Sequence, residues 1–102
     1  MRLCLIGLAG LLFVSPAHAQ SFNCGYAGTA DEVAICEDAR LGALDERMSR
    51  RFFRLRSQLY GPDRVPLDRD QAVWLNARRR CGGSPGCIAA AYRARIAQLS
   101  GW

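Results

Sequence analysis

Four cysteines, Cys24, Cys36, Cys81 and Cys87, are the residues of this chain best equipped for chemistry. Thiols so placed could ligate a metal, exchange disulfides or staple a fold. Neither neighbouring pair has the C-x2-4-C spacing of a zinc site, and the one histidine, His18, lies in a leader segment. No C-x-x-C motif is present for disulfide exchange. The thiols are expected to be staples, with no metal and no cofactor.

Other catalytic equipment is sparse. Beyond residue 20 the chain has neither histidine nor lysine, which removes the commonest general base and the amine nucleophiles. Ser49 and Ser57 have no histidine to activate them. Three carboxylate pairs, Asp31/Glu32, Asp45/Glu46 and Asp68/Asp70, match the residue types of a glycosidase. The first and last read better as helix-start residues, and a bundle this small has little room for a sugar cleft. No enzymatic activity is expected.

The compartment decides how the cysteines behave. Arg2 precedes an uncharged apolar run at residues 3–14, and Ala17-His18-Ala19 has the small-x-small form cut by signal peptidase. The run is well short of the ~20 apolar residues of a membrane-spanning helix. Residues 1–19 are therefore expected to be a removed signal peptide, and residues 20–102 a single periplasmic or secreted domain without stable membrane insertion. Cys4 leaves with the leader, and no lipoprotein cysteine stands at the cleavage site. An even cysteine count in a short exported chain reads as a disulfide framework, because that compartment is oxidising.

All fourteen basic residues are arginine, against nine acidic ones, for a net charge of +5 that includes Arg2. Export disfavours nucleic acid as a partner. A cationic face suits an anionic one, such as cell-wall polymer, lipid headgroups or an acidic protein cleft.

Helical periodicity runs through the elements that must position these residues. Thr29-Ala30-Asp31-Glu32 has the form of a capping box and opens a helix over residues 29–36, with Val33 and Cys36 on one face. Asp38 can cap a longer one, whose Leu41, Leu44, Met48, Phe52, Leu55 and Leu59 fall on one stripe. Its outer face carries Arg40, Arg47, Arg50, Arg51, Arg54 and Arg56 with Asp45 and Glu46. Gly61-Pro62 stops it.

A third helix is expected from Pro66, with Asp68 and Asp70 in its first turn, Leu67, Trp74, Ala77 and Cys81 inward, and Arg78-Arg79-Arg80 at its end. Gly82-Gly83 breaks it, and Ser84-Pro85 starts a fourth with Ile88, Tyr92, Ile96 and Leu99 inward. The whole is an all-α, disulfide-stapled bundle of about four helices ending in an antiparallel hairpin. Four cysteines allow three pairings. Cys24–Cys36 with Cys81–Cys87 is expected, because each spacing straddles a glycine-marked bend; pairing Cys24 with Cys81 or Cys87 would instead tie the N-terminal arm to the hairpin.

Several of these residues carry a resemblance. Ser21-Phe22-x-Cys24, Thr29, Glu32-x-x-Ile35-Cys36, Leu41-x-x-Leu44-Asp45, Gln71-x-x-Trp74, Arg78-x-x-Cys81 and Cys87-Ile88 leading to Tyr92-x-x-Arg95-Ile96 resemble the lysozyme-inhibitor LprI-like family. The resemblance implies an exported or lipid-anchored bacterial helical protein, with inhibition of lysozyme as the activity that names the family. Most matched positions have structural explanations: Trp74, Tyr92 and the leucines as core, Thr29 and Glu32 as caps, and Asp45, Arg78 and Arg95 as internal partners. The implied partner is a lysozyme or another muramidase; the other reading is a cationic module for anionic cell-wall polymer. Arg50, Arg51, Arg54, Arg79 and Arg80 are the candidate contact residues, being charged, clustered and not needed for a cap or core. Export itself is testable: the intact mass of secreted protein should correspond to a chain beginning at Gln20, and a mass retaining residues 1–19 would overturn the cleavage site.

Overall fold

Three long helices and one short one arise where the apolar stripes place them. The structure is a computed structural model that describes residues 21–102, so the expected leader lies outside the described residues. Helix α1 spans Ala30–Glu37, α2 Ala39–Ser57, α3 Arg64–Arg79 and α4 Pro85–Ser100. Short 3-10 turns cover Cys24–Tyr26 and Gly61–Asp63, and there is no strand among the described residues.

The starts follow from side chains that satisfy backbone N–H groups. A capping box forms at Thr29 and Glu32. Asp38 accepts from the Arg40 N–H at 2.9 Å, and Ser84 accepts from the Cys87 N–H with Pro85 opening α4. Between α3 and α4 the chain reverses at Gly82, whose φ of +59° lies in the left-handed region that favours glycine.

Two boundaries and one helix face differ from the expectation. Helix α3 begins at Arg64, leaving Pro66 third in the helix, where its missing N–H is still one of the unpaired first four. Asp68 and Asp70 consequently lie beyond the first turn, and Asp68 instead clamps Arg56 through two bonds of 2.7 and 2.9 Å. Helix α2 ends at Ser57, and Leu59 packs on the core from the turn that follows. Val33, expected to share a face with Cys36, is exposed while Cys36 is half-buried, and Ile35 is the apolar residue that α1 buries fully.

Side-chain pairs fix the directions. Arg56–Asp68 and a Gln71 contact to the Met48 sulfur set α2 antiparallel to α3. The Trp74 indole donates to the Ala91 carbonyl at 2.9 Å and Arg95 donates to Gln71, so α3 and α4 form the expected antiparallel hairpin. Helices α2 and α4 run parallel: Leu41 and Leu44 adjoin Pro85 and Ala89 at one end, and Arg51 donates to Ser100 at the other. Helix α1 crosses the end where α3 stops and α4 starts, with the Asp31 side chain reaching Arg78.

The core threads all four helices through Ile35, Leu41, Met48, Phe52, Leu67, Trp74, Ile88, Tyr92, Ile96 and Leu99. Trp74 meets Tyr92 with ring centroids 5.1 Å apart. Both disulfides take the local pairing, Cys24–Cys36 and Cys81–Cys87, with Cα separations of 5.9 and 5.5 Å. Closing loops this small contributes ~2–3 kcal/mol each on a chain-entropy basis, a large share for a domain of this size. No helix among the described residues is long and apolar enough to cross a membrane.

Trp74 combines burial, ring packing and a part-buried hydrogen bond. Trp74→Ala should therefore cost about 3–5 kcal/mol and lower the melting temperature by well over 10 °C, read by circular dichroism. An unchanged melting temperature would place Trp74 outside the core.

Candidate functional site

Two groups of polar side chains stand apart from the apolar packing: one exposed, one buried. The exposed group comes from α2. Arg47, Arg50, Arg51 and Arg54 recur at helical spacing and together line a shallow depression of about 200 Å³. All four are exposed. Arg50 pairs with Glu46 at 3.1 Å across one turn, an exposed contact of little energetic weight. Arg51 reaches the Ser100 hydroxyl at the end of α4.

The candidate arginines do not form one patch. Arg50, Arg51 and Arg54 share the α2 ridge, joined by Arg47. Arg79 and Arg80 are exposed at the end of α3, next to the Cys81–Cys87 staple and at the opposite end of the bundle. Arg56 is half-buried and pairs with Asp68 of α3.

The buried group is the one the sequence reading placed incompletely. Arg78, 3% exposed, donates from Nε to Asp31, 1% exposed, at 2.7 Å, and from Nη1 to the Tyr92 hydroxyl at 3.1 Å. The Tyr92 hydroxyl donates in turn to Asp45 at 2.7 Å. Asp45, 0% exposed, also accepts from the backbone N–H and the hydroxyl of Ser21. The Arg78 guanidinium carbon lies 5.5, 5.7 and 5.9 Å from the ring centroids of Phe22, Trp74 and Tyr92, within cation–π reach. Asp45 is thus inside the bundle and not on the outer face beside Glu46. Its signal was positional: Leu41, Asp45, Met48 and Phe52 step by four, three and four, the same stripe as the core leucines. Arg78 follows Leu67, Gln71 and Trp74 in the same way.

Electrostatics fit these contacts. Burial pushes the Asp31 carboxyl up, but the hydrogen bonds from Thr29 and Arg78 and the Arg78 charge outweigh it and hold Asp31 below the usual carboxylate range. Burial and then the Asp45 charge raise the Tyr92 phenol far above its ordinary range, so it remains a donor. Arg95, 2% exposed, is held differently from the pairing expected of it. Its Nε donates to Gln71 Oε1 at 2.9 Å and its Nη1 to Gln98 Oε1 at 3.2 Å, both neutral acceptors. Burial lowers its pKa, opposed by the Asp70 charge.

Chemically, the buried carboxylates are engaged inside the fold, Asp31 by Thr29 and Arg78 and Asp45 by Ser21 and Tyr92, while the carboxylate in contact with the ridge is Glu46, paired with Arg50. Among the described residues no group of three or more His, Cys, Asp or Glu could hold a metal ion. No protein-family model, no curated protein and no solved structure matches the chain.

The buried pair generates its own test. Arg78→Ala strands the Asp31 charge and should cost about 3–5 kcal/mol in urea unfolding, whereas Asp31→Leu combined with Arg78→Met should cost less than the two single changes summed. Because the folded Asp31 pKa lies below its unfolded value, its contribution is present above pH ~4 and is lost as pH falls through the folded value. Asp31→Asn should therefore flatten the acid limb of stability against pH; an unchanged acid limb would remove Asp31 as its source.

Proposed function

We propose that the chain is an exported, non-catalytic binding protein that blocks the cleft of a lysozyme-type muramidase, the activity that resemblance to the lysozyme-inhibitor LprI-like family implies. The observation that carries this reading is the α2 ridge, where Arg47, Arg50, Arg51 and Arg54 stand side by side, exposed and unused by the core. A glycosidase cleft is lined by carboxylates, and a guanidinium fork clamps a carboxylate through two parallel hydrogen bonds. Two local disulfides support placement in an oxidising compartment outside the cytoplasm.

Charge constrains how such a complex would form. A basic protein gains no long-range steering toward a basic lysozyme, so the affinity must come from short-range, desolvated pairs. Such pairs resist salt better than exposed ones, and truncating one costs several kcal/mol, part of it the stranded partner charge. A ridge that only rides on anionic cell-wall polymer would release it as salt rises.

Purified protein titrated into a turbidity assay of cell-wall lysis should slow lysozyme, and the effect should persist at raised salt. The Arg50→Ala/Arg51→Ala/Arg54→Ala variant should lose inhibition by an order of magnitude or more, while Arg79→Ala/Arg80→Ala at the far end should retain it. Sedimentation with insoluble peptidoglycan, without inhibition and reversed by salt, would replace this reading with the envelope-polymer one.

A further inference from the structure

A second feature lies between α3, α4 and the C-terminal residues: a cavity of about 450 Å³ lined by Asp70, Val73, Trp74, Ala77, Arg95, Gln98 and Trp102. Its polar equipment is unusual for so small a domain. Arg95 is almost wholly buried, takes part in none of the ion pairs among the described residues, and keeps its Nη2 without a hydrogen-bond partner. A buried guanidinium left partly unpaired is costly, and two neutral glutamine carbonyls do not neutralise it. The lining also includes apolar Val73, Trp74, Ala77 and Trp102, and Asp70 contributes an exposed carboxylate.

We propose that this cavity binds an α-carboxylate that carries a neighbouring N–H donor and an apolar side chain, as in a free amino acid or the C-terminal residue of a peptide. Arg95 takes the carboxylate, with Nη2 completing a bidentate clamp. Asp70 takes the adjacent nitrogen, and the two tryptophans with Val73 enclose the side chain. A simple anion fits less well, because Asp70 would repel it. Nη2 is screened from solvent, so the carboxylate reaches it by displacing the exposed Gln98 carboxamide from Nη1. The site uses none of the α2 ridge arginines and does not rest on the muramidase reading.

The two tryptophans are the chain's only ones and both line the cavity, so their emission reports on it directly. The full disulfide-bonded protein would be titrated with L-leucine, N-acetyl-L-leucine and L-leucinamide, following fluorescence and melting temperature. Leucine and N-acetyl-leucine should both bind saturably and raise the melting temperature, and leucinamide, which lacks the carboxylate, should bind at least tenfold more weakly. Leucine ahead of N-acetyl-leucine identifies a free amino acid as the ligand, the reverse a peptide C-terminus; in either case Asp70→Asn, an exposed change compatible with folding, should weaken the preferred compound several-fold. Arg95→Lys should weaken both carboxylates. Leucinamide binding as well as leucine, or no saturable response to any of the three, would overturn the proposal.

Discussion

The Arg78–Asp31 pair is the contact on which the arrangement of this small domain depends. It joins the shortest helix, α1, to the C-terminal end of α3, and through Tyr92 it extends to α4 and to Asp45 of α2. Helix α1 buries only Asp31 and Ile35, too little apolar surface to fix its angle by packing. A charged pair of this kind adds little net stability compared with well-packed apolar residues, because both ions are desolvated. What it supplies is direction: the guanidinium fork accepts one carboxylate geometry, and a rotated α1 would leave two buried charges unpaired. The phenol bridging to Asp45 extends that selectivity to the whole bundle. Ser21 closes the far side of the network and so brings the N-terminal arm down between α2 and α3, where Phe22 lies against Arg78.

Much of this was legible in the sequence. The α4 residues Ile88, Tyr92, Ile96 and Leu99 are all buried, and Leu41, Met48 and Phe52 do the same for α2. The caps at Asp38 and Ser84, and both disulfides across glycine-marked bends, follow from side-chain chemistry within a few residues. The network was legible only in part: Asp45 and Arg78 were expected as internal partners and are, but periodicity assigns a face and not a partner, so Asp31 and the Tyr92 hydroxyl were not placed with them. Asp31 also read convincingly as a helix-start carboxylate, and its local role concealed the long-range one. Asp45 lay on the apolar stripe yet looked like the countercharge to neighbouring arginines. Pro66 looked like a helix start because proline tolerates the first position, but the third is equally free of a required N–H.

Arginine serves two separate purposes here, and the absence of lysine is consistent with both. Inside, Arg78 and Arg95 use the planar fork: each directs separate nitrogens at separate partners, which a single ammonium could not match in the same space. On the surface, the α2 ridge keeps its cations in water. The same side chain thus appears as a structural cross-link where it is buried and as a solvated cation where it is exposed. Arg95 stands between these cases. It is as buried as Arg78 but incompletely paired, and it lines a cavity whose carboxylate, Asp70, acts on it by charge without a hydrogen bond.

The distribution of constraints along the bundle then separates framework from surface. Both disulfides, the Arg78–Asp31 pair and the crossing of α1 lie toward the end where α3 stops and α4 begins. Toward the other end the fixings are non-covalent: Arg56 with Asp68, Arg64 donating to the Arg56 and Leu59 carbonyls, and Arg51 with Ser100. Local opening is easiest where chain ends and exposed hydrogen bonds dominate, which is the end bearing Arg51, Arg54, Gln98 and Trp102. Side chains there can rearrange without disturbing the buried charges. Among the described residues, both covalent cross-links and the one buried ion pair thus lie at the same end of the bundle.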